Sequence, residues 1–191
     1  ENRRLRNLVD LRAQEAFGDE GVVARVLTRF QGSFVRRAVV IDRGSRSGIG
    51  KDWVAIDGGT LVGRVLDAAP GTAQVLLTVD PDSGVAARHR DGRFAGVALG
   101  VGGSSRQLRL EYVPRDQPIA VGDEVVTSGL DRLFPPGLLI GYVRELSDRS
   151  RLTWEVRLEA AYDPSELEEL MLVPPLQARA EDEDAEAEGG P

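Results

Sequence analysis

What most constrains this chain is its punctuation. From Gly21 onward, short apolar runs are cut at close intervals by turn signals: Asp57-Gly58-Gly59, Pro70-Gly71, Asp80-Pro81, Asp91-Gly92, Gly102-Gly103 and Pro135-Pro136-Gly137. Such spacing leaves no room for long helices and predicts short strands in barrels or a sandwich. Val22, Ala24 and Val26 alternate with Val23, Arg25 and Leu27, and a β-branched run follows at Ala38–Ile41. Further strands are expected at Trp53–Ile56, Leu61–Leu66, Gln74–Val79, Gly84–Arg88, Phe94–Leu99, Gln107–Val113, Glu124–Thr127, Leu138–Leu146 and Leu152–Ala161. The 22 Gly and 10 Pro fit this reading, and with only 5% aromatics the core must be built from Val, Leu, Ile and Ala.

The two ends differ from the middle. Residues 1–17 contain no Gly or Pro and carry Leu5, Leu8, Val9 and Leu11 at helical spacing. Asn2, Leu5, Val9 and Arg12 follow the alternating steps of a coiled-coil seam, which makes Leu5 and Val9 candidates for self-association. A surface helix packed on its own domain is the competing reading. Gly18 is a natural stop. At the other end, residues 174–191 hold six acids against Arg179 and so carry −5 of the net −7. This tail is too polar to offset its ordering entropy and is expected to be disordered. Pro164–Met171 reads as a short helical turn. No apolar stretch reaches the length that spans a bilayer, so any membrane anchor is expected upstream of Glu1.

One internal echo bears on architecture. Ile49-Gly50-Lys51-Asp52-Trp53-Val54 precedes Leu61-Val62-Gly63-Arg64-Val65, and Ala120-Val121-Gly122-Asp123-Glu124-Val125 precedes Leu139-Ile140-Gly141-Tyr142-Val143. Each copy is a turn ending in Asp, a strand, a loop and a strand with a central Gly, the residue of barrel corners. The fold class expected is mainly β: an N-terminal coiled-coil helix followed by two small β-barrels. The helix would take residues 1–18, the first barrel 19–80, the second 81–173 with strands open to exchange between them, and the acidic tail 174–191.

Chemistry is scarce. There is no Cys and one His, so thiolate chemistry is excluded and metal ligands are few. His89 lies in Arg88-His89-Arg90-Asp91 and reads as an exposed strand-end histidine. Ser128 in Thr127-Ser128-Gly129 lacks the Gly-x-Ser-x-Gly pattern of a nucleophile elbow and reads as a turn. Asp80-Pro81-Asp82-Ser83-Gly84 lacks the ligand series of a calcium loop and also reads as a turn. Gly100–Ser105 lacks the Lys-Ser/Thr ending of a phosphate loop. The body is nearly neutral without a basic run, which argues against nucleic acid. No catalytic, cofactor or metal residue is expected. What remains is surface for binding: Trp53, Phe134, Phe30 and Phe34 are large apolar groups near turns, which read either as ordinary core or, where exposed beside a β edge, as candidate partner anchors.

Ile41–Ile49, Leu61–Val65, Leu77–Pro81, Gly122–Leu130, Phe134–Gly137 and Gly141–Val143, taken in that order, together resemble the MreC family of bacterial rod-shape-determining proteins. Ile41-Asp42-Arg43-Gly44-Ser45-Arg46-Ser47-Gly48-Ile49 is similar to that family's IDKGS-x-DGV, Leu61–Val65 to its LVGRV, and Leu77–Pro81 to its LLTDP. Leu108–Val113 is similar to the segment before the second barrel's turn. Gly122–Leu130, then Phe134-Pro135-Pro136-Gly137 and Gly141-Tyr142-Val143, resemble GD-x-VVTSGL, FP-x-G and G-x-V in the same order. Asp52-Trp53 departs from a usual Gly-Met, so that turn and the exposure of Trp53 are open; the acidic tail matches no family motif.

The resemblance implies a transmembrane helix upstream, then a coiled coil and two β-barrels in the periplasm or otherwise outside the cell membrane. It implies no enzymatic activity and no cofactor. Its implied partners are a second copy of the chain, as dimer or filament, a class B penicillin-binding protein (the elongation transpeptidase), MreD and other rod-complex proteins. Two other classes compete. A periplasmic adaptor of a secretion or efflux system would share the Gly122-Asp123-Glu124-Val125 turn but needs a long helical hairpin between its halves. A double-barrel serine hydrolase would need Ser128 to be reactive.

Overall fold

The computed structural model describes residues 21–177, apart from 31–35, 93, 104–105 and 149–151. Twelve strands run through them: β1 Val22–Phe30, β2 Ala38–Ile41, β3 Val54–Asp57, β4 Thr60–Ala68, β5 Ala73–Leu77 and β6 Gly84–His89. They continue as β7 Ala95–Gly100, β8 Gln107–Pro114, β9 Glu124–Thr127, β10 Leu139–Asp148, β11 Thr153–Ala160 and β12 Glu169–Val173. The mainly β expectation is met. The coiled-coil helix and most of the acidic tail lie outside the described residues. Pro164–Met171 is not a helical turn: Pro164–Glu166 turns under an Asp163 carboxylate that accepts the Ser165 N–H (2.8 Å), and Glu169 already starts β12.

The pairings close two rings of six strands. β4, β3, β12, β1, β2 and β5 form one, closed by β5 on β4; β10, β9, β6, β7, β8 and β11 form the other, closed by β11 on β10. A parallel bridge between Thr60 and Leu139 joins them. The chain does not divide into two consecutive barrels at residue 80. It leaves the first ring after β5, builds the whole second ring, and returns so that β12 slots between β1 and β3. The exchange of strands that the sequence left open is therefore this single strand.

Inward alternation is clearest on β8, where Leu108, Leu110 and Val113 are buried, and on β11, where Val156, Leu158 and Ala160 are. Both rings contribute to one continuous apolar cluster, mostly Val, Leu, Ile and Ala with Phe94, Phe134, Tyr162 and Met171. Burying each such Val, Leu or Ile side chain stabilises the fold by about 1.5–3 kcal/mol relative to exposure.

The echoed segments adopt equivalent structures, one residue out of the register that the two Asp residues suggest. The Asp52 N–H donates to the Val65 carbonyl (2.9 Å) and the Val65 N–H to the Trp53 carbonyl (2.8 Å). In the second ring the Gly122 N–H donates to Val143 (2.8 Å), and the Val143 N–H to Asp123 (2.9 Å). Asp52 thus matches Gly122, and both have left-handed backbones, with φ of 66° and 97°. Gly63 and Gly141 match as well. A Cβ on either would drive into a carbonyl oxygen of the neighbouring strand, Leu76 in one ring and Glu159 in the other. Between the copies, the described residues form β5 to β8, in place of the helical hairpin an adaptor requires.

Candidate functional site

The anchors expected from sequence fare unevenly. Leu5, Val9 and Phe34 lie outside the described residues. Phe30 ends β1, and its side chain is outside the description. Trp53 is half-buried: it packs against the core, with its indole over Gly50 (3.5 Å from the position of a Cβ there). Asp52 beside it is held by Arg64 at 2.5 Å, which steadies a left-handed position usually left to glycine. Of the two readings open for Phe134, core or exposed anchor, the structure has the core. It is 2% exposed and belongs to the core. The loop around it is tied down on several sides. Asp131 accepts the N–H groups of Leu133 (3.1 Å), Phe134 (3.2 Å) and Ala86 (3.0 Å), and the Leu176 and Gln177 N–H groups donate to the carbonyls of Leu133 and Arg132.

The apolar groups that do face solvent are others: Val23, Leu27, Val101, Tyr112, Val121, Leu130 and Leu152. Three of them, Tyr112, Val121 and Leu152, sit at the end of the second ring formed by the finish of β8, the turn before β9 and the loop before β11. That end is opposite the one from which the chain crosses to the first ring. Tyr112 is the most unusual. The β8–β11 register slips between Trp154 and Val156, and Tyr112 sits in the resulting bulge with φ 67°. A bulge re-aims a side chain, and this one turns Tyr112 out to 69% exposure between the inward-facing Leu110 and Val113. Leu152 is 79% exposed, and its carbonyl accepts the Arg115 N–H (3.0 Å). The Arg115 guanidinium stacks 4.6 Å from the Trp154 ring centroid. No residue of this group was legible as a binding anchor in sequence, because a bulge exists only relative to its partner strand.

Polar side chains are arranged for structure. His89 is not exposed, as its charged context suggested, but 3% exposed, edge-on to Phe94 at 5.3 Å. Its Nδ1 accepts the Asp91 N–H (3.0 Å) and its Nε2 faces Asp123 Oδ2 (3.2 Å), so the Nε2–H tautomer closes this end of the ring. Ser128 Oγ accepts the Leu130 N–H (3.3 Å), a turn contact. Asp80 likewise accepts the Asp82 N–H (2.8 Å). Among the described residues no three His, Cys, Asp or Glu side chains converge as a metal site. A surface cleft of about 250 Å³ is lined by Arg106, Arg144, Arg157, Glu145 and Glu159. Its charges answer one another: Arg144 and Arg106 both reach Glu159, and Arg157 meets Glu145 at 2.9 Å. The hydrogen bond from Arg144 leads in holding the Glu159 carboxyl below its ordinary range.

Residues 26–174 match the family model described as rod shape-determining protein MreC, barrel core. A cell shape-determining protein MreC from Cereibacter sphaeroides is 36% identical over 140 residues, 73% of this chain and 45% of that protein. The chain thus spans less than half the length of that relative. A solved structure of an MreC superposes with TM-score 0.80 at 25% identity, covering 90% of this chain and 97% of the other. Two more distant structures share the fold. One is the major periplasmic domain of the cell shape-determining filament MreC, at TM-score 0.67, 21% identity and 81% and 95% coverage. The other is the complex between the penicillin-binding protein PBP2 and MreC from Helicobacter pylori, at TM-score 0.60, 17% identity and 80% and 98% coverage.

Proposed function

Because this chain belongs to the MreC family of rod shape-determining proteins, we propose that it is the extracytoplasmic part of a membrane-anchored, non-enzymatic scaffold of cell elongation. In this reading it self-associates and binds a class B penicillin-binding protein, in company with MreD and other rod-complex proteins. The observation that carries the scaffold reading is Tyr112, a large aromatic displayed to solvent by a bulge in a closed, well-packed barrel. Aromatic side chains on rigid elements offer contact area at small entropic cost. The filament described for one relative and the PBP2 complex of another support the partner classes by analogy.

The test is binding of the 191-residue chain to the soluble ectodomain of its own organism's class B penicillin-binding protein, read by interferometry. Tyr112→Ala and Leu152→Ser should fold as the parent does. A hot spot contributes on the order of 2 kcal/mol, roughly a thirtyfold rise in Kd on truncation. Undiminished binding by both variants would remove this end of the second ring from the interface; no binding by the parent chain would remove the transpeptidase as its partner.

A further inference from the structure

Buried polar groups are not scattered through this fold. The buried polar or charged residues among those described are Arg37, Thr78, Asp80, Ser83, His89 and Thr127. Four of the six lie where the rings meet, and buried Tyr162 joins them there. Thr78, Asp80 and Ser83 belong to the outgoing crossover between β5 and β6, and Tyr162 to the returning crossover between β11 and β12.

The two crossovers are bonded to each other. The Tyr162 hydroxyl meets Thr78 Oγ1 at 3.0 Å and also lies 3.1 Å from the Val62 carbonyl of β4. That carbonyl also accepts the Thr78 N–H (2.9 Å). Burial pushes the Tyr162 hydroxyl up to about 12, so it stays a neutral donor. Arg37, just before β2 in the first ring, sends its guanidinium to the Gly103 carbonyl in the β7–β8 connection of the second, while its own N–H is taken by the Asp80 carboxylate. Two glycines let the backbones close in. A Cβ on Gly100 would collide with the Asp80 carbonyl, and one on Gly102 (φ 76°) would come within 2.8 Å of the Pro81 ring.

We infer that this polar seam is an orientation lock, which holds the two barrels at one fixed angle so that surfaces on different barrels act as a single rigid template. Apolar contact alone is non-directional and tolerates sliding, whereas a buried hydrogen-bond network is satisfied at one geometry only. The shared apolar cluster accounts for stability, and the seam, together with the single β10–β4 bridge, fixes the mutual orientation of the rings. For a scaffold the consequence is that a partner bound on one barrel has a set position relative to whatever is bound on the other.

The chain has no cysteine, so a spin-label pair can be placed without background. Arg46→Cys in the first ring and Leu152→Cys in the second are both exposed positions. Double electron–electron resonance on the labelled 191-residue chain should give one narrow distance. Adding Tyr162→Phe with Thr78→Val and Arg37→Met should broaden or split that distribution while far-UV circular dichroism still reports folded β-structure. Tyr162→Phe alone, which keeps the ring in place, should broaden it measurably and serves if the triple variant does not fold. A narrow, unshifted distance in a folded variant overturns the lock, as does a broad distance in the parent. No partner enters the measurement, so its outcome is independent of which protein the scaffold binds.

Discussion

Tyr112 sits at φ 67°, a region that costs a residue with a Cβ about 1–2 kcal/mol. Glycine carries no such penalty, so Tyr112→Gly should fold with equal or higher Tm while losing partner affinity as Tyr112→Ala does. Gain in stability with loss of binding, measured on the same sample, separates a displayed anchor from a structural residue. Phe134 should behave in the opposite way. Truncation to Ala empties a core site and should cost about 3–5 kcal/mol in urea unfolding, with binding per folded molecule unchanged. Titration adds a third check. Asp42, Glu159 and Asp163 are held below their ordinary values, first by the Arg25 backbone N–H, by Arg144 and by the Ser165 hydroxyl respectively. Their contribution is present above the unfolded values of 3.8 to 4.5 and is lost as pH falls through the lower folded values. Tyr162 has the reverse sign. Its stabilisation is whole below 10.0 and is lost as pH rises through about 12, so alkaline unfolding followed by circular dichroism should be delayed in Tyr162→Phe.

Strand positions were largely legible, because Gly- and Pro-marked turns and alternating apolar residues are local properties of the chain. β12 was not. Glu169–Val173 follows an Asp-Pro-Ser turn, and its pairing with β1 and β3 depends on residues more than a hundred positions away. Phe134 is undecided in sequence for a related reason: Phe-Pro-Pro-Gly has the composition of a surface loop, and only Asp131, Leu176 and Gln177 show it folded inward. In sequence the echoed turns align Asp to Asp, whereas the requirement the two rings share is a left-handed residue, Asp52 in one and Gly122 in the other. The strand glycines were matched correctly. Gly63→Ala and Gly141→Ala should each destabilise by about 1–3 kcal/mol or more in chemical unfolding, since the obstruction is backbone and cannot rotate away. At the C-terminal end, truncation after Val173 removes buried Pro175 and the N–H donors of Leu176 and Gln177. It should lower Tm by several degrees relative to truncation after Gln177.

At the scale of the molecule, both rings close with strands from residues 22–173, and the seam ties them into one body. The rings need no further strand to close, so self-association through residues 1–20 can be tested separately from folding. If Leu5 and Val9 line a seam between two copies, replacing both with Asp sets four carboxylates against one another in the dimer. Sedimentation equilibrium of the double variant should then shift towards the monomer mass while the β signal in circular dichroism is unchanged. Transpeptidase binding supplies an independent readout. Tyr112 and Leu152 remain on each monomer, so affinity in solution should be retained. Capture on a surface densely coated with transpeptidase should weaken, because two linked copies engage such a surface by effective concentration and one does not. A mass distribution identical to the parent's would assign self-association to the barrels. A lowered mass with solution affinity lost as well would place the transpeptidase contact across the dimer, on surfaces that only the paired template presents.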